Sequence, residues 1–384
     1  MDLLAATAGS DWVSCEAAVG ADDGSAAQAE TSRRKRDAIL LEVLLCENLI
    51  VLAGLGTTRY IRNADGKALG PTMADLWTAA KARFASTFDG VRQRVKHPES
   101  DESIEVLLSH CQLSEILQPD AGVAAFIRDT EALIVEKCQF VNDSISLEIH
   151  EMFLRKVARR STRQPRLRLF TTNYDVCFET AASHTRFVVV DGFSHTQPQE
   201  FDGSYFGYDL VRRDQNGEAP DYISNVFHLY KIHGSIDWEL QGTRVVRVRK
   251  PERPLLIYPR HSKFESSYDQ PFIEMMSRFQ VALRQPNTAV LVIGLGFNDP
   301  HIYQPLMSAV RSNVGLRLVV VDPDAAKKVK PALAELVSLI KGGDHRLALL
   351  NGSFEAFVPV LPDLVAVTEE ERHLRRVESA RAQA

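Results

Sequence analysis

Cysteine is scarce in this chain and shows no pairing pattern: Cys15, Cys46, Cys111, Cys138 and Cys177 stand far apart, with no C-x-x-C spacing. That excludes a zinc ribbon and a disulfide framework, and it points to a reducing, cytoplasmic setting. An excess of one charge is also lacking. With 45 Lys and Arg against 50 Asp and Glu, the net charge is −5, so no global field draws the chain to nucleic acid; a local basic patch is left open. The longest apolar stretch, from Ala38 to Gly56, is interrupted by Glu42, Glu47 and Asn48, which argues against a membrane span. The start, MDLLAATAGSDW, has no basic segment ahead of an apolar core, as a secretory signal would. A Gly-x4-Gly-Lys-Ser/Thr loop is missing too, so any P-loop motor belongs to another polypeptide.

What is present is an ordinary globular composition, 45% hydrophobic and 25% charged over 384 residues, enough for one large core or two modest ones. Residues 1–31 are rich in Ala, Gly, Ser and Asp and are expected to form a mobile N-terminal arm. Ser32 is the expected N-cap of a helix that runs to about Cys46. Residues 71–160 space apolar side chains at three and four, which predicts an inserted all-helical subdomain. Residues 32–70 and 161–365 alternate strand and helix patterns, and residues 366–384 form a charged tail. The fold class expected is α/β: a doubly wound, mostly parallel, Rossmann-like sheet with the helical subdomain inserted.

Four apolar runs stop abruptly in small or polar residues, as parallel strands do at the ligand-binding edge of an open sheet. They are ENLIVLAGLGTTR from Glu47, LRLFTTNYD from Leu167, VFHLYKIHGSIDW from Val226 and TAVLVIGLGFND from Thr288. Gly54 and Gly56, with Thr57 and Thr58, allow a tight turn that could offer backbone N–H groups to a pyrophosphate; a simple turn would use the same residues. Gly294, Gly296, Phe297 and Asp299 give a second glycine-rich strand end. Thr171, Asn173 and Asp175 could orient a water, a ribose hydroxyl or a carboxamide, or merely form an Asx turn. His233 is placed for proton transfer, with Gly234 admitting the close approach of a sugar or another molecule's backbone. Asp322, ending LRLVVVD, suits an adenosine ribose, or a helix cap.

Taken together these motifs resemble the sirtuin-like (SIR2) domains, especially the bacterial anti-phage NADases, over about residues 40 to 360. The glycine-rich loop corresponds to AGLGTTR, the T-x-N-x-D motif to Thr171, Asn173 and Asp175, the catalytic HG to His233 and Gly234, and G-x-G-F-x-D to Gly294, Gly296, Phe297 and Asp299. The chain departs from that pattern at Leu55 and Thr57 or Thr58, where the usual loop has Ala and Ser. Sirtuin deacylases carry a four-cysteine zinc module after the histidine, where this chain has PERPLLIYPRHSKFESSYD, so zinc and deacylation are not expected.

The resemblance implies NAD+ as substrate, cleaved to nicotinamide and ADP-ribose. Asn173 would orient the ribose and the attacking water, His233 would accept a proton, and Asp175 would hold the carboxamide. The glycine loop with Thr57 or Thr58 would bind the pyrophosphate and Asp322 the adenosine ribose. It also implies a homo-oligomer working with a HerA-type hexameric ATPase in antiviral defense. Two other readings stay open. One is a non-catalytic NAD or ADP-ribose sensor. The other is a DNA-processing subunit, suggested by Arg155, Lys156, Arg159, Arg160, Arg163, Arg166 and Arg168 and by RVVRVRKPER at 244–253; exposed helix-end cations and a hairpin would read the same way.

Overall fold

The computed structural model describes residues 1–8, 11–16, 22–213, 221–257, 270–327 and 330–364. Two short strands, β1 (Asp2–Ala5) and β2 (Val13–Ser14), precede a long helix, α1 (Asp23–Leu45), and strand β3 (Asn48–Ala53). Then come α2 (Met73–Arg83), α3 (Phe88–Arg94), α4 (Ile104–Leu117), α5 (Ala121–Cys138) and α6 (Glu148–Val157). The chain continues through β4 (Arg168–Thr171), α7 (Cys177–His184), β5 (Val188–Val190), β6 (Val211–Arg212) and β7 (Asp221–Tyr222). Strands β8 (Val226–Lys231), β9 (Gly234–Gln241), β10 (Arg244–Arg247) and β11 (Pro254–Leu256) follow. The last third is α8 (Phe272–Leu283), β12 (Thr288–Ile293), α9 (Pro300–Ser312), β13 (Arg317–Val321), α10 (Pro331–Lys341), β14 (Leu347–Asn351) and α11 (Phe354–Phe357).

All six residues of β3 and all six of β12 are buried, because continuous Val, Ile and Leu runs suit strands covered by helices on both faces. Alternate residues of β3 feed different cores: Ile50 and Leu52 join one apolar cluster, Leu49 and Val51 the other. Each such side chain contributes about 1.5–3 kcal/mol relative to exposure. Nine strands lie in the order β2, β1, β14, β13, β12, β3, β4, β8, β5, and every pairing from β14 to β5 is parallel. This is the doubly wound, Rossmann-like α/β sheet expected. From β3 the chain steps to β4 on one side and later crosses back to β12 on the other. Connections that leave a sheet in opposite directions open a crevice at the carboxyl ends of the strands, and here it lies at β3, β4 and β12.

The helices α2 to α5 close around their own core of Leu76, Trp77, Phe88, Leu107, Phe126 and Ile134. Ile236 and Leu256, from the antiparallel β10–β9–β11 sheet, join that core, so the insertion sits over the crevice rather than apart from it.

Two expectations for the amino terminus need correction. Residues 1–31 are not all a mobile arm: Asp2 to Ala5 pair antiparallel with β14, and Leu3 and Leu4 are fully buried. A four-residue strand in a run otherwise rich in small residues hides this pairing, because its partner, Ala348 to Asn351, lies at the other end of the chain. Nor is Ser32 an N-cap. Asp22 caps α1 by accepting from the Ser25 N–H at 2.8 Å, and Ser32 is buried mid-helix, donating to the Gln28 carbonyl. The charged tail at 366–384 lies outside the described residues.

Candidate active site

The glycines at the ends of β3 and β12 are spent on each other. A Cβ on Gly56 would lie 2.4 Å from Gly294 Cα, and one on Gly54 would lie 2.7 Å from the Gly294 carbonyl oxygen. Gly294 itself has φ +61, a left-handed conformation that favours glycine. The two strand-end loops cross in contact, fixed by the Gly56 N–H donating to Gly294 O at 2.9 Å. The glycine pattern therefore serves loop packing, and among the described residues neither Gly54, Gly56 nor Gly294 lines the adjoining cavity.

Thr57 transmits that geometry to β4. Its buried hydroxyl donates to Gly54 O at 2.8 Å and accepts from Asn173 Nδ2 at 3.1 Å, which turns the Asn173 side-chain carbonyl away from Thr57. The Asn173 N–H donates to Thr171 Oγ1 at 3.1 Å, and Asp175 Oδ1 accepts from the Cys177 N–H at 3.0 Å, where α7 begins. Asp175 thus also makes the turn contact open to any Asx residue there.

Beneath this turn lies Lys231, the last residue of β8, only 1% exposed. Its ammonium donates to the carbonyls of Tyr174 and Asp175 and pairs with Glu179 at 2.9 Å. Burial works to lower the lysine pKa, but Glu179, Asp237 and Asp175 carry it above its ordinary value; burial raises that of Glu179 against the pull of Lys231. A cation inside the apolar run VFHLYKI was the signal for this residue, and it went unread.

His233 follows β8 and is 4% exposed. Gly234, at φ +86, would place a Cβ 2.2 Å from the Leu255 carbonyl oxygen, so the close approach it permits is that of β11 in its own chain, not a sugar. The Ile257 N–H donates to His233 O at 2.8 Å and the Tyr174 hydroxyl to Ile257 O at 2.6 Å, which ties β11, the histidine and the β4 turn together. Nε2 of His233 lies 2.9 Å from Nε2 of His301, at the start of α9. Sequence reasoning missed His301, although Pro300 marks a first helical turn directly after a glycine-rich strand end.

These elements enclose a cavity of about 410 Å³, within the usual range of roughly 300–1,000 Å³ for small-molecule sites. Of the residues singled out from the sequence, Asn173, Asp175, His233, Gly296 and Asp299 line it. Thr57, Thr58, Thr171 and Phe297 are not among the residues that line it, and Asp322 follows β13 on the sheet edge. Asp322 Oδ1 accepts from the Asp324 N–H at 2.7 Å and Oδ2 faces Lys330 at 3.6 Å, the capping arrangement. The helical insertion roofs the cavity with Thr72, Met73, Leu76 and Cys138. Among the described residues, no group of three or more His, Cys, Asp or Glu is placed to hold a metal ion.

Part of the basic run before β4 is engaged within the fold. Arg160 donates to the carbonyls of Leu44, Cys46 and Glu47, and Lys156 to those of Pro359 and Leu361. Arg166 makes a forked pair with Asp209, and Arg155 faces Glu151 at 3.7 Å. In the second basic stretch Arg247 pairs with Asp191 and Asp237. These cations join helix ends and strands, whereas Arg163, Arg244, Arg249, Lys250 and Arg253 are exposed.

Residues 167–339 match the SIR2-like domain. The matched segment carries Asn173, Asp175, His233, His301 and the β12 glycines, while the β3 loop and the helical insertion lie outside it. No curated protein matches the chain. SIR2-like domains are NAD-dependent enzymes, so the match points to NAD-related activity. No described helix is long and apolar enough to cross a membrane.

Proposed function

We propose that the chain is an NAD+ glycohydrolase that cleaves the nicotinamide–ribose bond to give nicotinamide and ADP-ribose. The observation that carries this reading is that Asn173 and His233, delivered by the neighbouring strands β4 and β8, line one cavity and both fall in the segment that matches the SIR2-like domain. Nicotinamide in NAD+ is already a cationic leaving group, so the bond breaks without a general acid once the ribose is held near an oxocarbenium-like geometry. The Asp175 carboxylate accepts from the carboxamide NH₂. The Asn173 carbonyl orients the ribose and the attacking water, and neutral His233 takes a proton from a ribose hydroxyl or from that water.

Unchecked NAD+ hydrolysis harms the cell that makes the enzyme. The proposal therefore includes gating: the chain oligomerises and works with a HerA-type ATPase in anti-phage defence, on the strength of the resemblance to defence NADases. Nicotinamide release from NAD+ by the purified chain, alone and mixed with such an ATPase, tests both parts. Release that rises on mixing, with co-elution in light scattering, is expected. No release in either condition rejects the hydrolase, and equal release by a lone monomer rejects the gating.

A further inference from the structure

Two clefts meet where His233 touches His301. His233 lines the cavity with Asn173 and Asp175, whereas His301 lines a separate cleft of about 580 Å³ between α8 and α9, beside Gln280, Arg284 and Gln304. Both rings are buried, and their Nε2 atoms stand 2.9 Å apart. Two neutral imidazoles meeting in this way hold one proton between them, so one donates and the other accepts. Which one donates decides what the rest of His233 can do. If His233 donates from Nε2, its Nδ1 carries a lone pair and is a base; if His301 donates, the His233 Nδ1 bears a proton and is not.

We infer that His301 is a positioning residue that holds His233 in the Nε2–H form and takes over that proton as His233 acts. The inference rests on the NAD+ hydrolysis reading. When His233 Nδ1 accepts the proton of the ribose hydroxyl or the water, the oxygen keeps the electron pair of its broken O–H bond. The His233 Nε2–H bond breaks in turn, and its proton joins the lone pair of His301 Nε2. His233 ends neutral, protonated at Nδ1, and His301 becomes the imidazolium. The transfer has an electrostatic purpose: an imidazolium at His233 would face the cationic oxocarbenium-like centre, whereas the same charge on His301 sits one ring further away, in the second cleft. After product leaves, His301 returns the proton to His233 Nε2 and Nδ1 releases its own to water.

His301→Gln is the test, since a carboxamide reaches the same contact but cannot take up a proton at neutral pH. The expected result is a fall in kcat on the order of 10-fold or more with KM unchanged, because a proton-transfer role is lost and a binding one is not. In mixed H₂O and D₂O the wild-type rate should depend on isotope content as two protons in flight require, and that of His301→Gln as one. Wild-type kcat in a folded His301→Gln protein overturns the inference. Should that variant fail to fold, a one-proton dependence in the wild type overturns it alone. Should the wild type release no nicotinamide, the hydrolysis reading fails by itself. The pair is then judged by ¹⁵N NMR of the His233 ring, where a resting proton on Nδ1 contradicts the inference and one on Nε2 supports it.

Discussion

Asn173 and Thr57 are joined by a 3.1 Å hydrogen bond, from the Asn173 side-chain nitrogen to the threonine hydroxyl, and through it the glycine loop after β3 sets the aim of a residue in the turn after β4. Thr57 lines no part of the cavity, yet the orientation of Asn173 depends on it.

Thr57→Val keeps the shape and removes the hydroxyl, leaving the Asn173 nitrogen unpaired in a buried site. An unsatisfied group of this kind costs about 1–3 kcal/mol, which corresponds to a fall in kcat/KM of roughly 5- to 150-fold. Steady-state kinetics with NAD+ checks this; a rate equal to wild type would show that Asn173 is held by other means.

Lys231 is the buried strut under the Thr172 to Asp175 turn. Lys231→Met removes the cation and strands Glu179, and breaking one side of a buried pair costs about 3–5 kcal/mol. Urea unfolding should show a loss of that size, and adding Glu179→Gln should recover part of it.

Gly56→Ala tests the crossing of the two glycine loops. The added methyl meets backbone of Gly294 at 2.4 Å, with no flexible side chain to yield, and overpacking of this kind costs typically about 1–3 kcal/mol. A lowered melting temperature together with weakened NAD+ binding is expected. Unchanged stability would mean that the loops part easily.

Acid should destabilise the fold before it reaches the carboxylates. His150 is fully buried against Phe178 and Phe354, with Nδ1 2.8 Å from the Tyr60 hydroxyl, and burial pushes its pKa down to about 3. His228 is lowered to about 4, again chiefly by burial. A histidine protonated first in the unfolded chain gives full stability above about pH 6.5 and loses it as pH falls toward the folded value. For His150 alone the loss at pH 5 is about 2 kcal/mol. Urea titrations from pH 7 to pH 5 should show the decline, and His150→Asn, which keeps an acceptor for Tyr60, should flatten it.

Much of this site could be read in advance because its signals are local. β-Branched runs that stop in glycine or asparagine marked the strand ends, and a parallel sheet brings such ends together, so Asn173, Asp175 and His233 were found as one group. What escaped depends on partners distant in sequence. The glycines were visible, but that Gly56 meets Gly294, and Gly234 meets Leu255, depends on how the loops cross. His301 and Lys231 act through contacts some 50 to 70 residues away. The Met73 and Leu76 roof carries only the helical spacing of an ordinary core.

The central claim is that Asn173 and His233 act on one NAD+ molecule in this cavity. Single-turnover release of nicotinamide, followed by chromatography for wild type, Asn173→Ala and His233→Ala side by side, tests it most directly. The account predicts release of nicotinamide and ADP-ribose by the wild type and a loss on the order of 10²-fold or more in each variant, with both variants folded. Release at the wild-type rate by either variant, or none by the wild type with or without an added HerA-type ATPase, would contradict it.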